Sequence, residues 1–122
     1  MIIRKTNPDQ CDHLEMDGVQ GVSMRVMVGR EDGAPNFAMR HFVLQPGGHT
    51  PHHSHDYEHQ VVVLSGNGEA LDAGEIRELS AGDVILVEPD VEHQFRNTSD
   101  EPLEFLCLVP LHGQCGDPVP GS

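Results

Sequence analysis

Apolar residues in this chain come in short runs, and within several of them apolar and polar side chains alternate. In Glu104-Phe105-Leu106-Cys107-Leu108-Val109, for example, Phe105, Cys107 and Val109 share one face, while Glu104 marks the opposite side as the exterior. A period of two is the signature of a strand, and no stretch keeps the period of an amphipathic helix for three turns. The runs predict strands over Val22–Val28, Asn36–Leu44, His53–Leu64, Glu69–Leu71, Glu75–Leu79, Asp83–Val87, His93–Asn97 and Glu104–Val109. Turn residues punctuate them. Pro46-Gly47-Gly48 is expected to end one strand, Ser65-Gly66-Asn67-Gly68 to join a hairpin, and Ser80-Ala81-Gly82-Asp83 to introduce another strand. Many short strands separated by such turns predict an all-β sandwich or barrel.

The 122 residues are one domain's worth of chain, so residues 1–122 are expected to form a single unit. Residues 1–20 are polar and irregular and are expected to form an edge strand or an arm across a partner subunit. The Gly/Pro-rich stretch 112–122 is expected to be a loose tail. With 37% apolar residues, no Trp and four Phe, the core is small, and pairing into a homodimer would bury more surface.

Charge and cysteine usage narrow the partners. Twenty acidic against seven basic residues leave a net charge of −13, which repels phosphate backbones and anionic lipid, so neither nucleic acid nor membrane is expected as a partner. No apolar run approaches the ~20 residues of a membrane span, and no signal-peptide pattern opens the chain. Cys11, Cys107 and Cys115 are an odd number in no disulfide-like spacing, which fits free thiols in a reducing cytoplasm.

Histidine is in excess, with nine in the chain and five of them between His49 and His59. In a strand, His53 and His55 would converge on one face with Ser54 pointing away. A short bend at Asp56–Glu58 would bring His59 to the same face, and His93 would supply a fourth imidazole from a separate strand. Imidazole nitrogens at ~2.0–2.2 Å suit manganese, iron, nickel, copper or zinc. His49 and His52 are out of phase with this set and read as solvent-facing, while His13, His41 and His112 stand alone and default to structural roles. His112 with Cys115 is a weaker metal pair.

These spacings resemble the two motifs of the cupins. Gly47, five residues, His53-Ser54-His55, three residues, His59, six residues and Gly66 reproduce the first motif, with His59 where a Glu is usual. Gly82, five residues, Glu88-Pro89-Asp90, two residues, His93, three residues and Asn97 follow the second, with Glu88 and Asp90 in place of its Pro and Gly. A subgroup of tiny bacterial cupins with an all-histidine site is similar also in Ala34-Pro35-Asn36-Phe37-Ala38-Met39-Arg40, Glu58-His59, Val87-Glu88-Pro89 and Glu104-Phe105-Leu106-Cys107-Leu108. The resemblance implies a double-stranded β-helix, the cupin jelly-roll barrel. It also implies one divalent first-row metal per chain, manganese foremost, on His53, His55, His59 and His93, and a dimer. At least one member of that subgroup has oxygen- or peroxide-dependent activity on small organic molecules. The resemblance further places Cys107 near the metal, where it would be oxidisable; a small buried hydrophobe is the equal alternative.

Arg40 sits where both strand faces are mixed, so parity leaves two readings: an inward anchor for a carboxylate or oxyanion, or a surface partner of an acid. Phe95 and Phe105 are expected to line the pocket, or else to pack in the core. Four neutral imidazoles leave the metal's charge uncompensated and make a harder Lewis acid with a higher potential than a site with a Glu. No carboxylate pair stands out for hydrolysis. The leading expectation is therefore an oxygenase-like enzyme acting on a small organic molecule, with Arg40 and Cys107 as candidate catalytic residues. The alternatives are a metal-dependent isomerase or lyase, and a non-catalytic small-molecule or metal-binding module.

Overall fold

The computed structural model describes residues 1–114, in which the alternating runs become nine strands of one curled sheet. β1 (Asp12–His13), β2 (Gln20–Val28) and the long β3 (Phe37–His49) come first, then β4 (His59–Ser65), β5 (Asn67–Asp72) and β6 (Glu75–Ser80). β7 (Val84–Val87), β8 (His93–Arg96) and β9 (Leu103–Pro110) follow, and the helical turn α1 (Leu111–Gln114) ends the described chain. The expected tail lies outside the described residues from Cys115 onward.

Across the sheet the order is β6-β5-β8-β3-β9-β4-β7, with β2 also on β3 and β1 on β2. Every pairing is antiparallel, and most join strands far apart in sequence, so the sheet rolls up as an all-β jelly roll. Within residues 1–20, Pro8–Gln10 forms a single 3-10 turn, and Asp12 and His13 pair with Met24 and Ser23 as a short edge. Among the described residues no helix is long and apolar enough to cross a membrane.

Alternation decides what faces inward. On β9, Leu103, Phe105, Cys107 and Val109 are buried while Glu104, Leu106 and Leu108 are only half so. On β4 the inner row is His59, Val61 and Val63, and on β8 it is His93 and Phe95. The rings of Phe42 and Phe95 each lie 5.1 Å from that of Phe105, centroid to centroid. Burying each such ring is worth roughly 1.5–3 kcal/mol, so these three anchor the core.

Three expectations change. The Ser65–Gly68 stretch is a corner between sheet positions and not a hairpin, because β4 pairs with β7 and β9 while β5 pairs with β6 and β8. Gly66 makes the corner at φ +88°, where an added Cβ would run into the Pro102 carbonyl. The tight hairpin is instead Ala73-Gly74, with φ 50° and 87°, between the paired residues Asp72 and Glu75; positive φ at both central positions matches the twist of the flanking strands. Pro46-Gly47-Gly48 does not end its strand, since β3 runs on to His49. Finally, the segment expected as one strand from His53 to Leu64 becomes strand only at His59. His53 holds a single bridge to His93, because its amide and carbonyl are spent on that one residue.

Candidate metal centre

A loop laid along β8 builds the site. Thr50, fully buried, accepts from the Phe95 amide through Oγ1 at 2.9 Å, and its own amide donates to the Phe95 carbonyl at 2.9 Å. Three residues on, the His53 amide donates to the His93 carbonyl at 3.1 Å and the His93 amide to the His53 carbonyl at 2.9 Å. The Asp90 amide then reaches the His55 carbonyl at 2.6 Å. His53 and His55 therefore converge through loop hydrogen bonds to β8 and its preceding turn, and not through strand alternation.

The four expected histidines come together. Ring centroids lie 4.4 Å apart for His53 and His55, 5.5 Å for His53 and His93, and 5.2 Å for His55 and His93. His59 stands 4.8 Å from His55 and 5.2 Å from His93 by the same measure. Donor nitrogens of His53, His55 and His93 all fall within 4.8 Å of one another, and His59 lies outside that tightest set. The Nε2 atoms of His53 and His55 are 3.1 Å apart; two nitrogens bound at right angles to one ion at ~2.1 Å sit ~3.0 Å apart.

Protonation can be read from the partners. His93 Nδ1 lies 2.9 Å from the Val91 carbonyl, which only accepts, so the proton is on Nδ1 and Nε2 keeps its lone pair. That Nε2 is buried with no hydrogen-bond partner among the described residues, and the same holds for His59 Nε2 and His55 Nδ1. Buried imidazole nitrogens without partners are costly unless something binds them, and a carbonyl holding the far nitrogen is the usual support of a metal-ligating histidine. Burial, followed by repulsion from His53, His93 and Arg40, pulls His55 down to about 4. His59 is pulled down further, first by burial and then by the Arg40 charge, and His53 moves the same way through burial, His93 and His52. All three are neutral at pH 7, the form that binds metal. Among the described residues the donor set fits a divalent first-row ion.

Other candidates separate into those inside and those outside. Arg40 points inward, fully buried, with its guanidinium 5.1 Å from the Phe42 ring and Nη2 donating to Cys107 Sγ at 3.4 Å. Cys107 is also fully buried, 3.5 Å from His59 Nδ1, and burial raises its thiol pKa against the lowering effect of Arg40. Phe95 lies on the wall of a cavity of about 400 Å³ that also takes in His93, Leu79, Ile85 and Val87. Phe105 is not among the residues lining that cavity; it packs between Phe42 and Phe95 in the core. His52 is exposed and pairs with Glu92 at 2.6 Å, while His49 Nδ1 rests 3.2 Å from the Thr50 carbonyl. His13 lies exposed near Glu15, and the pairing of His112 with Cys115 lies outside the described residues.

Sequence reasoning missed Tyr57, whose ring stacks on His55 at 4.5 Å and 9° and meets His112 edge-on at 5.1 Å. Its only signal was an aromatic placed between two histidines.

Residues 40–109 match the family described as the cupin domain. The chain belongs to the cupins. A 1-methylthio-D-xylulose 5-phosphate methylsulfurylase of Rhodospirillum rubrum is 35% identical over 71 residues, 58% of this chain and 46% of that protein. An oxalate-binding protein of Thermotoga maritima is 33% identical over 69 residues, 56% of this chain and 57% of that one. This cupin thus spans about half the length of the curated relatives it matches. Among solved structures, a predicted oxalate decarboxylase from Thermotoga maritima superposes with a TM-score of 0.78 at 26% identity, covering 91% of this chain and 99% of that one.

Proposed function

We propose that this cupin is a metal-dependent, oxygenase-like enzyme that acts on a small organic molecule, with one divalent first-row metal, manganese foremost, on His53, His55, His59 and His93. The observation that carries the reading is the convergence of four imidazoles, of which His55, His59 and His93 each have a buried nitrogen with no partner among the described residues, with His93 on the wall of a cavity of about 400 Å³. The bound metal would supply Lewis acidity and one-electron redox chemistry toward dioxygen. The chain's own residues do the rest. Val91 fixes the proton of His93 on Nδ1, Arg40 places a buried positive charge beside His59 and Cys107, and Phe95 with Leu79, Ile85 and Val87 gives the substrate an apolar wall. An all-imidazole shell adds no negative charge, so a substrate that ionises on binding, such as an enol or phenol, is the class best matched to it.

The test is dioxygen consumption by the manganese-loaded protein with a panel of small enols and phenols, with the metal's oxidation state followed by EPR. Uptake that depends on His93 supports the proposal. A second reading, an isomerase or lyase using the metal only to polarise its substrate, draws on the relative named for a 1-methylthio-D-xylulose 5-phosphate. It is favoured if manganese stays divalent and no dioxygen is consumed while substrate turns over. A homodimer is part of the proposal too, since Val84 and Leu86 on the β7 edge strand are exposed and apolar.

A further inference from the structure

A second group of reactive side chains lies on the other face of β3, away from the four histidines. His41 points opposite to its strand neighbours Arg40 and Phe42 and is completely buried. Both of its ring nitrogens are engaged: Nε2 lies 2.9 Å from Glu104 Oε1, and Nδ1 lies 3.5 Å from Cys11 Sγ. The second oxygen of Glu104 accepts from Ser65 Oγ at 3.1 Å. An ionised carboxylate only accepts, so Nε2 carries a proton, and in the neutral imidazole the Nδ1 lone pair then faces the Cys11 thiol. Hydroxyl, carboxylate, imidazole and thiol thus stand in line, with the thiol at the partly exposed end. This is the arrangement by which a histidine, held in one tautomer by an acid, takes a proton from a nucleophile.

We propose that Cys11 is a base-assisted thiol–disulfide exchange site for a low-molecular-weight disulfide, with His41 as the base and Glu104 as its positioning residue. As Cys11 Sγ attacks one sulfur of the disulfide, its proton passes to His41 Nδ1 and a new S–S bond forms. The old S–S bond breaks, and the leaving sulfur departs with the electron pair and takes the proton back from His41. Cys11 is oxidised to a mixed disulfide and one thiol of the reagent is released. Acyl transfer fits less well, because it needs amides free to hold an oxyanion. The Cys11 amide is spent on the Pro8 carbonyl at 3.2 Å and the Gln10 amide on Asn7 at 2.9 Å. Burial and then the Glu104 charge push the Cys11 thiol up to about 11, opposed by Arg25, so at neutral pH there is little thiolate and the proton acceptor decides the rate.

The purified full-length protein, treated with glutathione disulfide at neutral pH and read by site-resolved mass spectrometry, tests this without reference to the metal site. Without a base, a thiol raised from 9.0 to about 11 would lose ~100-fold in thiolate and regain ~10-fold in nucleophilicity, and so react ~10-fold more slowly in the folded chain than in urea. With His41 assisting, the folded rate at Cys11 should match the unfolded rate within ~3-fold or exceed it. His41→Gln and Glu104→Gln should each slow it at least ~10-fold in folded protein. A purely structural cluster moves the other way, since loosening it uncovers Cys11. A folded wild-type rate more than ~3-fold below the unfolded one, or an unchanged or faster rate in a folded variant, overturns the proposal. Where His41→Gln does not fold, Glu104→Gln and the wild-type ratio decide.

Discussion

The amide of Asp90 donates to the carbonyl of His55 at 2.6 Å, and Asp90 does so from a left-handed backbone conformation, φ 67°. The bond joins the loop that carries His53 and His55 to the turn that delivers His93. The second cupin motif has Gly where this chain has Asp90, and the positive φ is the reason: a Cβ there is strained, and Asp is one of the few side chains that tolerate the conformation.

Asp90→Gly should therefore leave stability within about 1 kcal/mol of wild type or raise it, whereas Asp90→Val, β-branched at positive φ, should cost about 1–2 kcal/mol or more. Urea denaturation of the metal-free variants checks both values. Equal stability of the two would mean the turn does not constrain residue 90. Metal affinity should follow the same order, because a shifted turn moves His93 relative to His55.

Acid should unfold the metal-free protein through its histidines. His55 drops from 6.5 to about 4, and His53 and His59 are also lowered, with burial the leading cause in each. Below pH 6.5 the unfolded chain takes up protons on these residues that the folded chain refuses. Their contribution is thus complete above the unfolded value and lost as pH falls toward the folded ones. Denaturation midpoints between pH 7.5 and 4.5 should fall more steeply for wild type than for His55→Gln. Parallel slopes would contradict the depressed His55.

The fourth ligand can be tested by exchange. A Glu at position 59 would bring a carboxylate close to the buried Arg40 guanidinium, whose charge already acts on His59. His59→Glu should keep the metal and lower its reduction potential, because a negative ligand favours the more oxidised ion. His59→Ala should weaken binding by at least the ~10–100-fold typical of lost supporting contacts. Metal titration and voltammetry of both variants decide it: equal loss in both, or no loss in either, would remove His59 from the ligand set.

Strand positions and inward faces were legible where alternation was clean, as in β9, whose Phe105, Cys107 and Val109 are buried in alternation. The all-β class followed from that pattern, and the jelly roll from the resemblance to the cupins that the motif spacings carry. Pairing was not legible, because Ser65-Gly66-Asn67-Gly68 has hairpin composition whether the chain turns back or rounds a corner against Pro102. The meeting of the four histidines followed the motif spacing, but its cause did not, since His53 and His55 are held by β8 and Asp90. The direction of Arg40 depended on the sheet's curl, and the Cys11–His41–Glu104 line joins residues thirty and sixty-three positions apart that no local pattern connects.

Metal content of protein purified without added metal tests the central claim most directly. Elemental analysis should find about one divalent first-row ion per chain in wild type, in His49→Ala and in His52→Ala, and far less in His93→Ala. Full metal in His93→Ala, or its loss in His52→Ala instead, would contradict a centre built on His53, His55, His59 and His93.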